Sequence, residues 1–318
     1  MSLIEQAAKR LEQLRQAGVE LADEKATHSP VAEAKASLSV SDPYTAQLPV
    51  SPIAESIAAA PKPAPKTAPS APSKKVELNL EAMSASGLLV PQISRSQLAD
   101  EYRVIKRPLI ANAMGKGMGP LQNGNLIMVT SALPGEGKSF TAINLAISIA
   151  MELDNTVMLV DADVARPSVL NMLGLPPAPG LLDVVDKNSV DISGVLLRTN
   201  IEKLSILPSG TQHPRATELL ASDAMVRLLD DMAKRYSDRI IIFDSPPLLL
   251  TTEARALATH MGQIVIVVHA EQTTHAAVKQ AADAIQACPV KMMVLNQARQ
   301  ASTDGYGYGY GYGYGHEN

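Results

Sequence analysis

The chain has 318 residues, a formal net charge of −4 and a single cysteine, Cys288. This length suits one large domain with appendages or two small domains. The absence of a basic excess argues against nucleic acid as the main partner, and one cysteine excludes a disulfide framework or a cysteine-built metal site.

Residues 1–20 have the pattern of a short amphipathic helix. Its apolar stripe consists of Ile4, Ala7, Ala8, Leu11 and Leu14. Such a helix is marginal alone in water, so we expect it to dock on its own domain, another protomer or another protein. Its polar face mixes charges and its apolar face lacks aromatics, which disfavours a membrane-surface role. No secretory signal and no apolar run of about 18 residues is found, so we expect a cytoplasmic protein.

Residues 21–75 are rich in proline and alanine, as in PIAESIAAAPKPAPKTAPSAPSKK. Few large apolar side chains remain to form a core, and the prolines prevent a helix. We predict a disordered, extended linker, with a ligand for a proline-recognising domain as the less favoured alternative.

A folded domain is predicted over residues 76–300. Alternating apolar residues resume at 76–80, and the segment from there through Val90 is expected on the surface of this domain. A helix is predicted over 94–114, and its charged cluster is typical of a solvated face: Asp100, Glu101, Arg103, Lys106 and Arg107.

A phosphate-binding loop is predicted at residues 132–139, ALPGEGKS, between a buried strand from Leu126 to Val129 and a helix from Lys138. Glycines let successive N–H groups converge on an anion, and the following helix points its N-terminus at it. Lys138 supplies charge to the β- and γ-phosphates, and the Ser139 hydroxyl binds Mg²⁺. We predict that the nucleotide contacts Pro134, Gly135, Glu136, Gly137, Lys138, Ser139 and Phe140. A chance glycine-rich turn would not have this strand–turn–helix context.

Apolar strands alternate with helices after the loop. Strands are predicted at 156–160, 204–207, 240–243, 264–268 and 291–295, and helices at 217–235, 253–260 and 274–287. Continuous apolarity indicates strands covered on both faces. The fold class is therefore α/β, a P-loop NTPase fold with a mainly parallel sheet and helices on both faces.

Acidic residues follow two of these strands. Asp161 and Asp163 end the first, and Asp244 ends another. Ligands bind at the carboxyl ends of parallel strands, and Mg²⁺ prefers oxygen ligands. A lone aspartate there is often a helix cap, but three beside a phosphate loop predict a magnesium site formed by Ser139, Asp161, Asp163 and Asp244. One of Asp161 and Asp163 can approach the metal while the other accepts a proton; the pattern leaves open which.

Residues 301–318 form a Tyr/Gly tail. Its five tyrosines alternate with glycine: Tyr306, Tyr308, Tyr310, Tyr312 and Tyr314. Glycine at every second position disfavours an ordered strand, so we expect a flexible tail that displays hydroxyl groups. The alternative is a low-complexity linker end.

These motifs resemble those of the bacterial tyrosine kinases, over residues 76–318. The likeness lies in ALPGEGKS, VMLVDADVARP, IIIFDSPP and the tyrosine tail. It implies an ATP- and Mg²⁺-dependent kinase in which Lys138, Asp161 and Asp163 act in catalysis. The tail tyrosines would be phosphorylated in trans, which makes residues 301–318 the autophosphorylation segment.

The arrangement is similar to that of stand-alone autokinases of exopolysaccharide export, of the exosortase/PEP-CTERM type. The resemblance implies a membrane-embedded polysaccharide co-polymerase or chain-length determinant as activator, recruitment to the inner membrane through it, and a cognate tyrosine phosphatase. The family's E-x-x-R-x-x-R/K motif, used to assemble rings, is matched by Asp100, Arg103 and Lys106, with Asp in place of the usual Glu.

Two other functions compete with the kinase. Partitioning and division-site positioning ATPases share this type of loop but carry a signature lysine where this chain has Leu133, and they lack a tyrosine tail. A scaffold that binds ATP without chemistry would not need the intact Lys138 and aspartates. Asn296 occupies the place where related ATPases contact adenine, and His269 stands where family members often have arginine.

Overall fold

The computed structural model describes residues 73–93, 95–117, 119–186, 191–236 and 238–299. The predicted N-terminal helix, nearly all of the predicted linker and the Tyr/Gly tail lie outside the described residues. No helix in the described ranges is long and apolar enough to cross a membrane.

The described residues form an eight-stranded sheet in the order β1-β4-β5-β3-β6-β2-β7-β8. The strands are β1 (Lys74–Lys75), β2 (Leu126–Ser131), β3 (Thr156–Asp161), β4 (Leu197–Arg198), β5 (Leu204–Leu207), β6 (Arg239–Asp244), β7 (Gln263–His269) and β8 (Val290–Asn296). Every neighbouring pair is parallel except β4 with β5. The predicted α/β fold with a mainly parallel sheet is confirmed.

Helices connect the strands and cover both faces of the sheet. They are α1 (Leu80–Ala85), α2 (Gln97–Ala113), α3 (Lys138–Ala150), α4 (Val169–Met172), α5 (Leu181–Asp186), α6 (Ile192–Val195), α7 (Ala216–Leu220), α8 (Asp223–Arg235), α9 (Thr252–Ala258) and α10 (His275–Asp283).

The apolar strands divide their side chains between two cores, because successive strand residues point to opposite faces. In β2, Met128 joins the core that contains Leu229 of α8. Its neighbour Ile127 joins the core on the other face, with Ile143 of α3. Both faces are buried, as the unbroken apolar runs predicted.

The segment before α2 differs from expectation. The sheet begins at Lys74, so the folded domain starts two residues before the predicted boundary at 76. The stretch expected on the surface is instead part of the core: Leu78, Met83 and Leu89 are buried. The Leu89 N–H donates to Asn144 Oδ1 on α3 at 2.7 Å. The expectation was wrong because α3 is also apolar on the side that faces away from the sheet, and this segment buries that side.

Two boundaries after the loop also change. The predicted helix 217–235 is divided into α7 and α8, and the Ser222 hydroxyl caps α8 by accepting the Met225 N–H at 3.3 Å. Helix α10 ends at Asp283, four residues before its predicted end, so Cys288 lies in the following loop. Cys288 is buried.

The charged cluster of α2 is only partly a solvated face. Arg103 pairs with Asp100; Asp100 is exposed and Arg103 is partly exposed. Lys106 is buried and donates to the Ser148 carbonyl of α3 at 2.6 Å, with Glu152 Oε1 also at 2.6 Å. This ammonium group ties α2 to α3 within one subunit, so Lys106 does not fit its predicted place in a subunit interface.

Candidate active site

The phosphate-binding loop joins β2 to α3. Gly135 and Gly137 have φ of 83° and 90°, in the left-handed region that favours glycine. A Cβ on Gly137 would lie 2.1 Å from Asn296 Nδ2, so a larger residue would displace that side chain as well as strain the backbone. No side chain caps the N-terminus of α3, which leaves its first N–H groups available to an anion.

Glu136 is the exception among the loop residues predicted to contact nucleotide. Its carboxylate accepts the Leu133 N–H at 2.6 Å and bonds to the hydroxyl of Thr273. It is 2% exposed, so it shapes the loop from within and does not face the cavity. Thr273, in the loop between β7 and α10, has no local sequence signal that would have revealed this contact.

Asn296 lies beside the same loop. Its Nδ2 donates to the Glu136 carbonyl at 2.9 Å, and Gln297 Nε2 donates to the Gly135 carbonyl at 3.2 Å. Asn296 and Phe140 also line a cavity of about 570 Å³ between α2 and β8. The predicted contact of Asn296 with adenine stays a prediction.

The structure brings the three predicted aspartates to Lys138. Asp161 and Asp244 are paired in register at the ends of β3 and β6. Lys138 Nζ lies 2.7 Å from Asp163 Oδ2 and 3.7 Å from Asp244 Oδ1. All three aspartate residues are at most 4% exposed.

The carboxylates differ in how many oxygens they have free. Asp163 uses both, one for Lys138 and one for the Arg166 N–H at 3.1 Å. Asp161 accepts the Ser168 and Val169 N–H groups through Oδ2 alone, each at 3.1 Å. Within the described ranges, Asp161 Oδ1 and both Asp244 oxygens are buried without a hydrogen-bond partner, although Asp244 Oδ1 is ion-paired with Lys138 at 3.7 Å. Leaving such acceptors unsatisfied costs free energy, which indicates that they serve a ligand.

These free oxygens fit Mg²⁺. No group of three or more His, Cys, Asp or Glu residues in the described part of the chain is arranged to hold a metal ion by itself. Mg²⁺ does not require one, because it retains waters and phosphate oxygens and takes one or two carboxylates. Asp244 and the Ser139 hydroxyl, which accepts a 2.8 Å hydrogen bond from Ser168 Oγ, are the residues that would hold it beside a nucleotide.

Burial shifts the protonation of this group. Burial, with the Asp244 carboxylate adding to it, raises the pKa of Asp161 to about 7. Burial also raises the pKa of Asp244 to about 6, although Lys138 opposes the change. Burial lowers the pKa of Lys138, but Asp244 and Asp163 outweigh it and the net shift is upward.

We expect the ligand-free protein to lose stability as pH rises through the titration of Asp161. The folded protein holds this proton to about pH 7, whereas an unfolded chain releases it near 3.8. The folded state therefore binds more protons between these values, and that contribution to stability is lost as pH rises. In denaturant unfolding without nucleotide, the stability of Asp161→Asn relative to the wild type should increase between about pH 4 and about pH 7 and level off at higher pH. The raised pKa of Asp161 would be contradicted if the difference in unfolding free energy between the two proteins stayed constant with pH. A change in favour of the wild type as pH rises would also contradict it.

A cavity of about 550 Å³ lies in front of the loop. All the predicted loop residues except Glu136 line it, together with Asp163. Eight further residues line this cavity and were not predicted from the sequence: Ala165, Arg166, Ser168, Met172, Pro246, Pro247, Leu250 and Thr251. Arg166 could have been predicted as a site residue, because it closely follows the aspartate pair in the sequence. Ser168 and Leu250 belong to no recognisable motif.

Comparison with known proteins identifies the family. The family model described as "AAA domain" matches residues 124–296. Tyrosine-protein kinase YwqD of Bacillus subtilis (strain 168) is 31% identical over 199 residues, which are 63% of this chain and 80% of YwqD. Succinoglycan biosynthesis transport protein ExoP of Rhizobium meliloti (strain 1021) is 32% identical over 183 residues, 57% of this chain but only 22% of ExoP.

A solved structure shows the same fold. The chimerical protein CapA2B2 superposes with a TM-score of 0.55 at 26% identity, covering 70% of this chain and 93% of that one. The family model spans more than half of the chain, and the alignment spans four fifths of YwqD. The chain therefore belongs to the bacterial tyrosine kinases, a family of protein-tyrosine kinases built on the P-loop fold.

Proposed function

We propose that the chain is a protein-tyrosine autokinase that transfers phosphoryl groups from ATP to the tail tyrosines of a neighbouring copy. The observation that carries this proposal is the meeting of Lys138, Ser139, Asp161, Asp163 and Asp244 at one edge of the sheet. The tail holds five of the chain's eight tyrosines, and their hydroxyl groups supply phosphate acceptors other than water.

The phosphate-binding residues have separate tasks in this proposal. Loop N–H groups and Lys138 hold the β- and γ-phosphates and stabilise charge on the transferring group. Ser139 and Asp244 would hold Mg²⁺, which when bound neutralises charge on the same oxygens. Asp163 orients Lys138 through the 2.7 Å ion pair.

Asp161 is the proposed proton acceptor. Of the two aspartates left open by the sequence, it alone has an oxygen without a hydrogen-bond partner among the described residues. The tyrosine oxygen attacks the γ-phosphorus while the bond to the ADP oxygen breaks, ADP leaves with the electron pair, and the phenolic proton passes to Asp161. A phenol with an ordinary pKa of about 10 gains from this assistance.

The cellular role is proposed from the relatives. ExoP is named for succinoglycan biosynthesis and transport, so we assign this kinase to regulating exopolysaccharide polymerisation and export. Its activator would be a membrane-embedded co-polymerase or chain-length determinant that recruits the cytoplasmic kinase to the inner membrane. The proposal also includes a ring assembled through α2, where Asp100 is exposed and Arg103 is partly exposed. A cognate tyrosine phosphatase completes it.

A positioning ATPase of the partitioning type is the alternative function. Its signature lysine would stand at Leu133, whose apolar side chain is 37% exposed. ATP hydrolysis without any phosphotyrosine would favour this alternative over the kinase.

The location of the phosphate tests the kinase proposal. After incubation with ATP and Mg²⁺, we expect mass spectrometry to find several phosphates on residues 301–318 and none in a Lys138→Met chain. A chain that ends at Ser302 should lose nearly all labelling, since the five tail acceptors are absent. A chain with the five tyrosines changed to phenylalanine is the matched control of full length. Equal labelling of the truncated and intact chains would show that the tail is not the acceptor.

A further inference from the structure

We propose that a second cavity, the acceptor groove, holds the tail tyrosine of another copy during transfer. The groove has a volume of about 590 Å³ and is lined by residues that include Asp161, Leu170, Leu175 and Gln212. The proposal rests on the proposed function, because it names the place where that reaction's second substrate binds.

Helix α4 and the residues before it separate the groove from the phosphate-loop cavity. Ser168 and Met172 line the phosphate-loop cavity, whereas Leu170 and Asn171 line the acceptor groove. The aspartate pair is divided in the same way, with Asp163 on the nucleotide side and Asp161 in the groove. The two cavities therefore approach each other at the loop that follows β3, where an acceptor oxygen and a γ-phosphate must meet.

The chemistry of the groove differs from that of the nucleotide cavity. Asp161 is the one charged side chain among the described residues that line it; the others are proline, leucine, alanine, glycine and small polar residues. The phosphate-loop cavity carries Lys138, Asp163 and Arg166. A groove whose one charged side chain is a carboxylate does not suit a polyphosphate, but it suits the tail, which has no charged residue from Gly305 to Gly315. Leucine and proline side chains can pack on the tyrosine ring, and the glycines keep the tail narrow.

The groove is held in shape without a ligand. Its two walls, residues 177–179 and 209–212, are joined by Asp183, whose Oδ2 accepts the Gly180 N–H at 2.8 Å and the Thr211 N–H at 2.9 Å. A Cβ on Gly180 would lie 2.0 Å from the Pro208 carbonyl oxygen, so glycine permits this close crossing. Preformed walls lower the ordering cost of binding a flexible peptide.

A transfer assay between full-length chains tests the groove. The kinase copy has its five tail tyrosines changed to alanine, and the acceptor copy carries Lys138→Met with its tail intact. Gln212→Trp and Thr211→Arg are introduced in the kinase copy; both side chains are exposed, so the fold is kept. We expect each to raise the KM for the acceptor at least about tenfold, with kcat and ATP affinity within about twofold of the parent.

Leu153→Trp is the matched control, since Leu153 is 85% exposed and lines neither cavity. An unchanged KM for the acceptor in both groove variants would overturn the proposed acceptor groove. A loss of ATP affinity that accounts for the slower transfer would also overturn it. Either result would leave the proposed kinase function standing. Absence of transfer between the unaltered pair would overturn the proposed function and the groove with it.

Discussion

Lys138→Met is expected to lower phosphotyrosine formation by about 10²–10³-fold or more, the usual loss when a preorganised charge at the reacting group is removed. Lys138 lies 2.7 Å from Asp163 and 3.7 Å from Asp244 in the ligand-free protein. The substitution therefore removes the charge that would face the phosphates and also leaves buried carboxylates without their cation. Initial rates of phosphotyrosine formation, followed with a phosphotyrosine antibody, measure the loss.

The matched variant is Lys138→Arg, which keeps the positive charge but changes its shape. We expect it to melt close to the wild type, because the buried carboxylates retain a cation, and to transfer phosphate poorly, because the guanidinium is planar and bulkier. Lys138→Met should melt at a lower temperature, since removing one partner of a buried ion pair is destabilising. Near-wild-type transfer by Lys138→Met would refute the assignment of this lysine.

Asp161→Asn is expected to reduce kcat by about 10²–10⁴-fold, the range for loss of a general base. Asparagine can still accept the Ser168 and Val169 N–H groups through its carbonyl oxygen, so these two hydrogen bonds at the start of α4 survive. What is lost is the buried oxygen that lacks a partner. We expect ATP affinity to change little, which separates a failure of proton transfer from a failure of binding.

Asp163→Asn provides the comparison within the same loop. It weakens the pairing with Lys138 while an amide oxygen can still accept the Arg166 N–H. We expect a smaller fall in kcat and a larger loss of ATP affinity than in Asp161→Asn. If Asp163→Asn instead suffers the greater loss of kcat at unchanged ATP affinity, the roles of the two aspartates are reversed.

The parts of the fold that the sequence predicted are those with strong local patterns. Strands β2, β3 and β6 each contain an uninterrupted run of four apolar residues, and the phosphate loop has a fixed spacing of glycines before Lys138. Parallel pairing then brings Asp161 and Asp244 to one edge without any knowledge of distant contacts. The chemistry of the site follows from these short-range features.

What escaped prediction depends on contacts between distant segments. Strands β1 and β4 have two residues each, too few for a periodic signal. Lys106 appears as one more surface charge until α2 packs against Ser148 and Glu152. Glu136 likewise turns inward because Thr273, 137 positions away, meets its carboxylate. Pattern reasoning assigns a charged residue to solvent or ligand, and it cannot see a partner that only the fold supplies.

The hydrogen bonds from Asn296 and Gln297 to the phosphate loop have a practical consequence for work on the tail. The root of the tail and the nucleotide loop are held together, so a cut placed before Gln297 would damage ATP binding as well as remove acceptors. Ser302 is a safe point for truncation because it lies beyond both contacts. Tyr314 stands 17 positions after Gln297, which allows an extended reach of about 60 Å. The proposed transfer between copies requires a reach of this kind beyond the loop to which the tail is anchored.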